Sequence, residues 1–157
     1  MAKAREIEGL TASTTFREAA AETVAVRAGE LFEHAAGVLD TSDIERVHDM
    51  RVATRRLRAV LEIYAPCFPK GELKGVLKDV KALADALGER RDPDVQLAAL
   101  DTFAAAVTAD DRPGLEVYAE LLRSEQDEGN ARLAAALDEA ERRDLRGRLA
   151  RLVEAAR

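Results

Sequence analysis

Helix-start signals recur along this chain, each followed by apolar residues at three- and four-residue spacing, and no segment alternates as a strand would. The stretch "TTFREAAAETVAVRAGELFEHAAGVL" opens with Thr15-Phe16-Arg17-Glu18. This is a capping box, in which a threonine hydroxyl and a glutamate carboxylate satisfy free N–H groups, and the pattern stays amphipathic to about Leu39. Ser42-Asp43-Ile44-Glu45 repeats the box and opens a second helix that Pro66 should stop. A third helix is expected from about Lys70 to Leu87, with Gly88 as its C-terminal stop. Asp92-Pro93 then reads as a cap followed by a first-turn proline, starting a fourth helix to about Val107. "ADDRPG" marks a turn, and a long helix follows from near Pro113 to about Arg143. Asp144 opens a short last helix, and Gly129 and Gly147 are the expected weak points. Short connections favour antiparallel neighbours. The expected fold is all-α: an antiparallel helical bundle of about four to six helices, forming one domain over residues 1–157.

Composition narrows the core and the compartment. Aromatics are only 4% of the 157 residues and Trp is absent, so the helices must pack closely through Ala, Val and Leu. Cys67 is the single cysteine, which excludes an internal disulfide and fits a reducing cytosol. The start "MAKAREIEGL" has no apolar run behind it, and no apolar stretch is long enough to span a bilayer. A cytoplasmic protein with no membrane partner is expected.

The charge is unevenly distributed. Residues 1–45 carry 4 Lys/Arg against 9 Asp/Glu, residues 46–91 carry 11 against 6, and residues 92–157 carry 9 against 15. A chain of net charge −6 with a basic middle repels bulk polyanions yet can present one local anion site. Within "VHDMRVATRRLRAVL", a helical wheel places His48, Arg51, Arg55 and Arg58 inside an arc of about 80°. Met50, Ala53, Leu57, Leu61 and Tyr64 fall on roughly the opposite side as a core stripe, and Arg56 points elsewhere, as an ordinary surface residue would. A row of like charges destabilises a helix unless an anion relieves it. On the next helix Lys70, Lys74, Lys78 and Lys81 share a face opposite Leu73, Val76, Val80, Leu83 and Leu87. Arg90 and Arg91 precede the expected helix start at Asp92, where free N–H groups also favour an anion. If the second and third helices are antiparallel, all these groups line one groove. Arginine suits phosphate because its planar fork donates two parallel bonds.

The H-x-x-R-V-x-x-R-R-L-R pattern starting at His48, followed by L-x-x-x-L-G-x-x-R-D-x-D-V starting at Leu83, resembles the N-terminal half of a CHAD domain (conserved histidine α-helical domain). The motif core covers about residues 42–95, and helices from about 16 to 140 are compatible. The resemblance implies a helical bundle that binds inorganic polyphosphate through basic residues lining a pocket or channel. It implies phosphate contacts for His48, Arg51, Arg55, Arg58 and Arg90 or Arg91, with Lys74, Lys78 and Lys81 as further candidates. It also implies association with a polyphosphate granule or a polyphosphate-metabolising enzyme. Members look about twice as long and carry a second histidine–arginine helix. Here the second half has no histidine, and "RRDLRGRLAR" lacks the H-x-x-R opening. The chain is then either a half-length form or a piece of a longer one. A homodimer would supply the second half of the lining, and the Ala- and Leu-rich segment from Leu133 onward is expected to be more apolar than one bundle can cover.

Other functions fit less well. Histidine phosphotransfer domains are bundles with an exposed histidine, but Asp49-Met50-Arg51-Val52 lacks the lysine and glycine that follow it there. A scaffold whose basic face docks on an acidic protein is a second alternative. His34 and His48 are the only histidines and neither sits in a zinc-type i, i+4 pair, so no metal or other cofactor is expected. Asp49, Asp92 and Asp94 read as ion-pair or capping residues rather than a catalytic set, so no enzyme is expected. Nucleic acid is not an expected partner, because the basic segment lacks aromatic stacking platforms.

Overall fold

Thr15 starts the first helix as expected: the Glu18 amide donates to its hydroxyl at 3.2 Å, and its own amide donates to the Glu18 carboxylate at 2.8 Å. The Thr15 amide, more than its hydroxyl, holds the Glu18 carboxyl below its ordinary value. In the computed structural model, which describes residues 2–157, five α-helices follow in order. They are α1 (Phe16–Ala35), α2 (Glu45–Ile63), α3 (Lys70–Ala104), α4 (Arg112–Arg142) and α5 (Leu145–Ala156), with a 3-10 turn at Ala65–Cys67 before α3. The all-α expectation holds. α1 packs on α2 and α5, and α3 runs through the middle against α2, α4 and α5. The core is aliphatic: Ala20, Val24 and Leu31 meet Met50, Leu57 and Leu61, with Val76, Val80 and Leu87 beneath.

Three boundaries differ from the sequence reading. α1 ends at Ala35, four residues early. The Ser42 box does not form, because the Ser42 amide and hydroxyl both donate to Asp40, at 2.9 and 2.7 Å. That local turn outcompetes the cap, and α2 begins at Glu45 without a side-chain cap. The largest difference lies at Gly88 and Asp92-Pro93, where no break occurs and α3 continues for 35 residues with Pro93 inside it.

Tertiary packing explains that continuity. Pro93 has no N–H to donate, so the Glu89 carbonyl loses its helical partner. Gly129 of α4 lies against this spot: a Cβ there would sit 3.0 Å from the Glu89 carbonyl oxygen and 3.1 Å from the Arg90 Cα. Only a hydrogen fits in that place, so the two backbones approach closely enough for a weak Cα–H···O contact. Gly129 is therefore a close-packing residue, not a weak point. Around it, buried Arg90 pairs with buried Asp94, and Gln126 donates to Asp94 at 2.6 Å. The Arg90 Nε donates to Asn130 at 3.2 Å, and the Asn130 amide donates to the Leu39 carbonyl at 3.0 Å. This network ties α3 to α4 where the helix would otherwise bend.

Asp144 sits at φ 51°, a left-handed conformation aspartate tolerates, and accepts from the Gly147 amide at 3.1 Å to start α5. Arg143 and Arg148 both pair with largely buried Asp79 of α3. Leu145, Leu149, Leu152 and Val153 are buried, so the apolar C-terminal segment is covered within one chain. The motive the sequence offered for a dimer there does not hold.

The uncovered apolar surface lies elsewhere. Arg91 meets the Ile44 carbonyl at 3.2 Å, level with the start of α2, so α3 runs on past α2 for about 20 Å. With the start of α4 it forms a helical arm on which only Ala119 and Leu122 are buried beyond Asp94.

Candidate functional site: a basic cleft between α2 and α3

The buried stripe of α2, which includes Met50, Ala53, Leu57 and Leu61, faces the core and turns His48, Arg51, Arg55 and Arg58 outward. These four side chains, with Val52, form one wall of a cleft of about 300 Å³, closed on the α3 side by Ala84 and Asp85. The expected arc is thus a real wall. Arg58 lies 3.8 Å from Glu62. Among the described residues, no carboxylate forms an ion pair with Arg51 or Arg55, and both are exposed. Two guanidiniums free to donate beside a histidine are an anion-binding arrangement.

The α3 side is more mixed. Lys74, Lys78 and Lys81 are exposed but do not line the cleft. The antiparallel register set by the Arg91–Ile44 contact puts Lys81 and Lys78 level with Arg55 and Arg58, so the lysines extend the positive surface along the groove beside the cleft.

Arg90 and Arg91 do not belong to this wall. Arg90 is 0% exposed and its guanidinium is committed to Asp94 and Asn130. Arg91 is partly buried, donates to the Ile44 carbonyl and lies 3.9 Å from Glu45. Because α3 is continuous, no helix N-terminus exists at Asp92 to add its free N–H groups. Arg56 is no ordinary surface residue either: it is partly buried and donates to the Ala2 carbonyl at 3.0 Å.

Sequence reasoning missed two features. Asp85 is the single carboxylate lining the cleft, opposite the arginine wall. On a wheel it shares the Lys74–Lys81 face, so the signal was present but hidden among lysines. Glu45, His48 and Asp49 bring ligand atoms within 4.8 Å of one another and form the one group of described residues close enough to share a cation. One Asp49 oxygen already accepts from the Ala2 amide at 2.7 Å. Among the described residues no helix is long and apolar enough to cross a membrane.

A family model described as CHAD domain matches residues 22–157. No curated protein and no solved structure matches the chain. The match spans most of the bundle and includes both walls of the cleft, so the chain belongs to the CHAD-domain family, a family associated with polyphosphate binding and metabolism.

Proposed function

We propose that this chain binds inorganic polyphosphate in the α2–α3 cleft and does not hydrolyse it. The observation that carries this reading is the row of His48, Arg51, Arg55 and Arg58 on one wall, with Arg51 and Arg55 unpaired. Successive cations on α2 rise about 4.5–6 Å along the helix axis, so the row spans about 15 Å and suits a linear, repeating anion better than a compact one. The lysines of α3 continue that track. The cleft lining contains no aromatic side chain on which a nucleobase would stack, which favours a ligand made of phosphate alone. It also offers a single carboxylate, too few for paired acid–base work.

All the positive groups of the cleft lie on α2, so one copy grips an anion from one side. In this reading a second copy supplies the opposing wall, and polyphosphate strengthens the pairing by neutralising both. The chain then works in the cytoplasm, at polyphosphate granules or beside an enzyme that makes or consumes the polymer.

Side-by-side titration with polyphosphate, triphosphate, ATP and single-stranded DNA tests the reading. Polyphosphate should bind tightest, and its affinity should fall steeply with salt as condensed counterions are released. Tighter binding of DNA, or steady orthophosphate release by the pure protein, would overturn it.

A further inference from the structure

The face of α3 that points away from the core changes sign along its length. Lys70, Lys74, Lys78 and Lys81 come first, and Asp85, Glu89 and Asp92 follow within about 60° of the Lys74 direction on the helical wheel. All of these side chains are exposed. The charges of antiparallel α2 are ordered to match. Arg55 and Arg58 lie level with Lys81 and Lys78. At the start of α2, Glu45 and Asp49 each bring a carboxylate oxygen within 4.8 Å of a His48 ring nitrogen. Glu62, 3.8 Å from Arg58, is the one acid of α2 at the lysine end, where four lysines outweigh it. Glu72 of α3 turns away from this groove and lines a separate pocket with Arg148. Past the start of α2 the groove gives way to the arm, and residues 92–128 carry 10 Asp/Glu against 2 Lys/Arg. The groove is therefore open to an anion at its Lys70 end and closed electrostatically at its arm end.

We propose that the cleft holds polyphosphate by a chain end, with the terminal phosphate against Arg51 and Arg55 and the polymer leaving past Lys78 and Lys74. This rests on the reading of the cleft as a polyphosphate site and adds which part of the polymer it takes. An internal segment laid along the α2 wall carries phosphates on past His48. There it comes within about a 10 Å screening length of Glu45, Asp49, Glu89 and Asp92. A chain end stops short of these acids. It also brings more charge to the arginines: by analogy with a phosphate monoester, a terminal phosphoryl group carries about −1.5 to −2 at neutral pH, against about −1 for an internal one. Arg51 and Arg55, with no acid paired to them among the described residues, can donate to its oxygens. Asp85 faces these arginines across the cleft at the point where α3 changes sign, and so marks how far the chain reaches.

Counting protein copies per polymer separates capture of an end from coating of the length. With protein in excess, sedimentation should give the same number of copies per chain over about a tenfold range of polyphosphate length. Polyphosphate with both ends capped as phosphoramidates should bind at least about tenfold more weakly than the uncapped polymer. Asp85→Lys with Asp92→Lys carries the lysine row past the cleft and opens the closed end. In that variant copies per chain should rise with length, and capping should lose its effect. For the wild-type chain, a copy number that rises with length, or equal binding of capped and uncapped polymer, would overturn end capture while leaving the cleft a polyphosphate site. Absence of binding to both polymers would instead sink the cleft reading on which end capture rests.

Discussion

Arg90 and Arg51 sit on neighbouring helices of the same bundle and have opposite fates. Arg90 is sealed between α3 and α4, paired with Asp94 and bonded to Asn130. Arg51 stands exposed on the cleft wall, and among the described residues no carboxylate is paired with it. The same side chain is therefore structural in one place and available in the other, and what separates them is whether the fold supplies an acid. A buried charge must be matched internally because desolvation is expensive, whereas an exposed unmatched one keeps its hydration and can exchange it for a ligand.

The sharpest way to break this contrast is at Arg90. Arg90→Met leaves the Asp94 carboxylate buried and unpaired, and should cost about 3–5 kcal/mol in urea unfolding. Arg90→Met with Asp94→Leu should recover much of that loss, because removing both partners leaves no orphan charge. If Arg90→Met instead left stability unchanged and weakened polyphosphate binding, Arg90 would belong to the site after all.

Arg51 and Arg55 should show the inverse pattern. Arg51→Ala or Arg55→Ala should weaken polyphosphate binding by about 1–3 kcal/mol, the scale of hydrogen bonds to a charged group, with unfolding midpoints nearly unchanged. Isothermal titration beside urea melts reads both quantities. Arg56→Ala is the internal control: it breaks the bond to the Ala2 carbonyl, so its effect should fall on stability and not on affinity.

The two regions also differ in how far the sequence revealed them. The α2 wall was legible because it depends only on helical periodicity, which fixed His48, Arg51, Arg55 and Arg58 on one face and Leu57 and Leu61 on the other. Arg90 was misread because its fate depends on a partner 40 residues away, Asn130, and on an acid one turn along. The Asp92-Pro93 signal failed for the same reason. A proline after an aspartate is a sound local start, but Gly129 pressing on the Glu89 carbonyl is a long-range fact. Ser42 failed locally, where two equally local turns competed and Asp40 won. The arm escaped notice because α3 was read as two helices.

Asp85 offers a smaller, more diagnostic effect. It is the only acid lining the cleft, and its charge opposes any polyanion held by the facing arginines. Asp85→Asn keeps the shape and removes that charge, so polyphosphate affinity should rise about threefold to tenfold at low salt, and less at high salt. An unchanged or weakened affinity would mean that Asp85 has another role, such as holding a cation beside the phosphates.

Glu30 combines features of both regions and should give the smallest effect. It is buried like Asp94, yet what it holds is a surface strap: it accepts from the Arg5 amide at 2.6 Å and from Arg27 at 2.8 Å, while Arg27 also donates to the Arg5 carbonyl at 3.0 Å. Burial pushes the Glu30 carboxyl up, but the Arg5 amide, Arg27 and more distant Arg56 together pull it further down, so it lies below its ordinary 4.5. A lowered folded-state value means that ionised Glu30 favours the attached strap. That contribution is complete above the ordinary carboxylate range and is lost as pH falls through the lower folded-state value. Hydrogen exchange at the Arg5 amide should therefore show protection at neutral pH that disappears on strong acidification. Glu30→Gln should lower the protection at neutral pH and flatten its pH dependence, while leaving polyphosphate affinity in place. Protection that survives acidification would show that Asp49 and Arg56, which grip Ala2 from α2, hold the strap without Glu30.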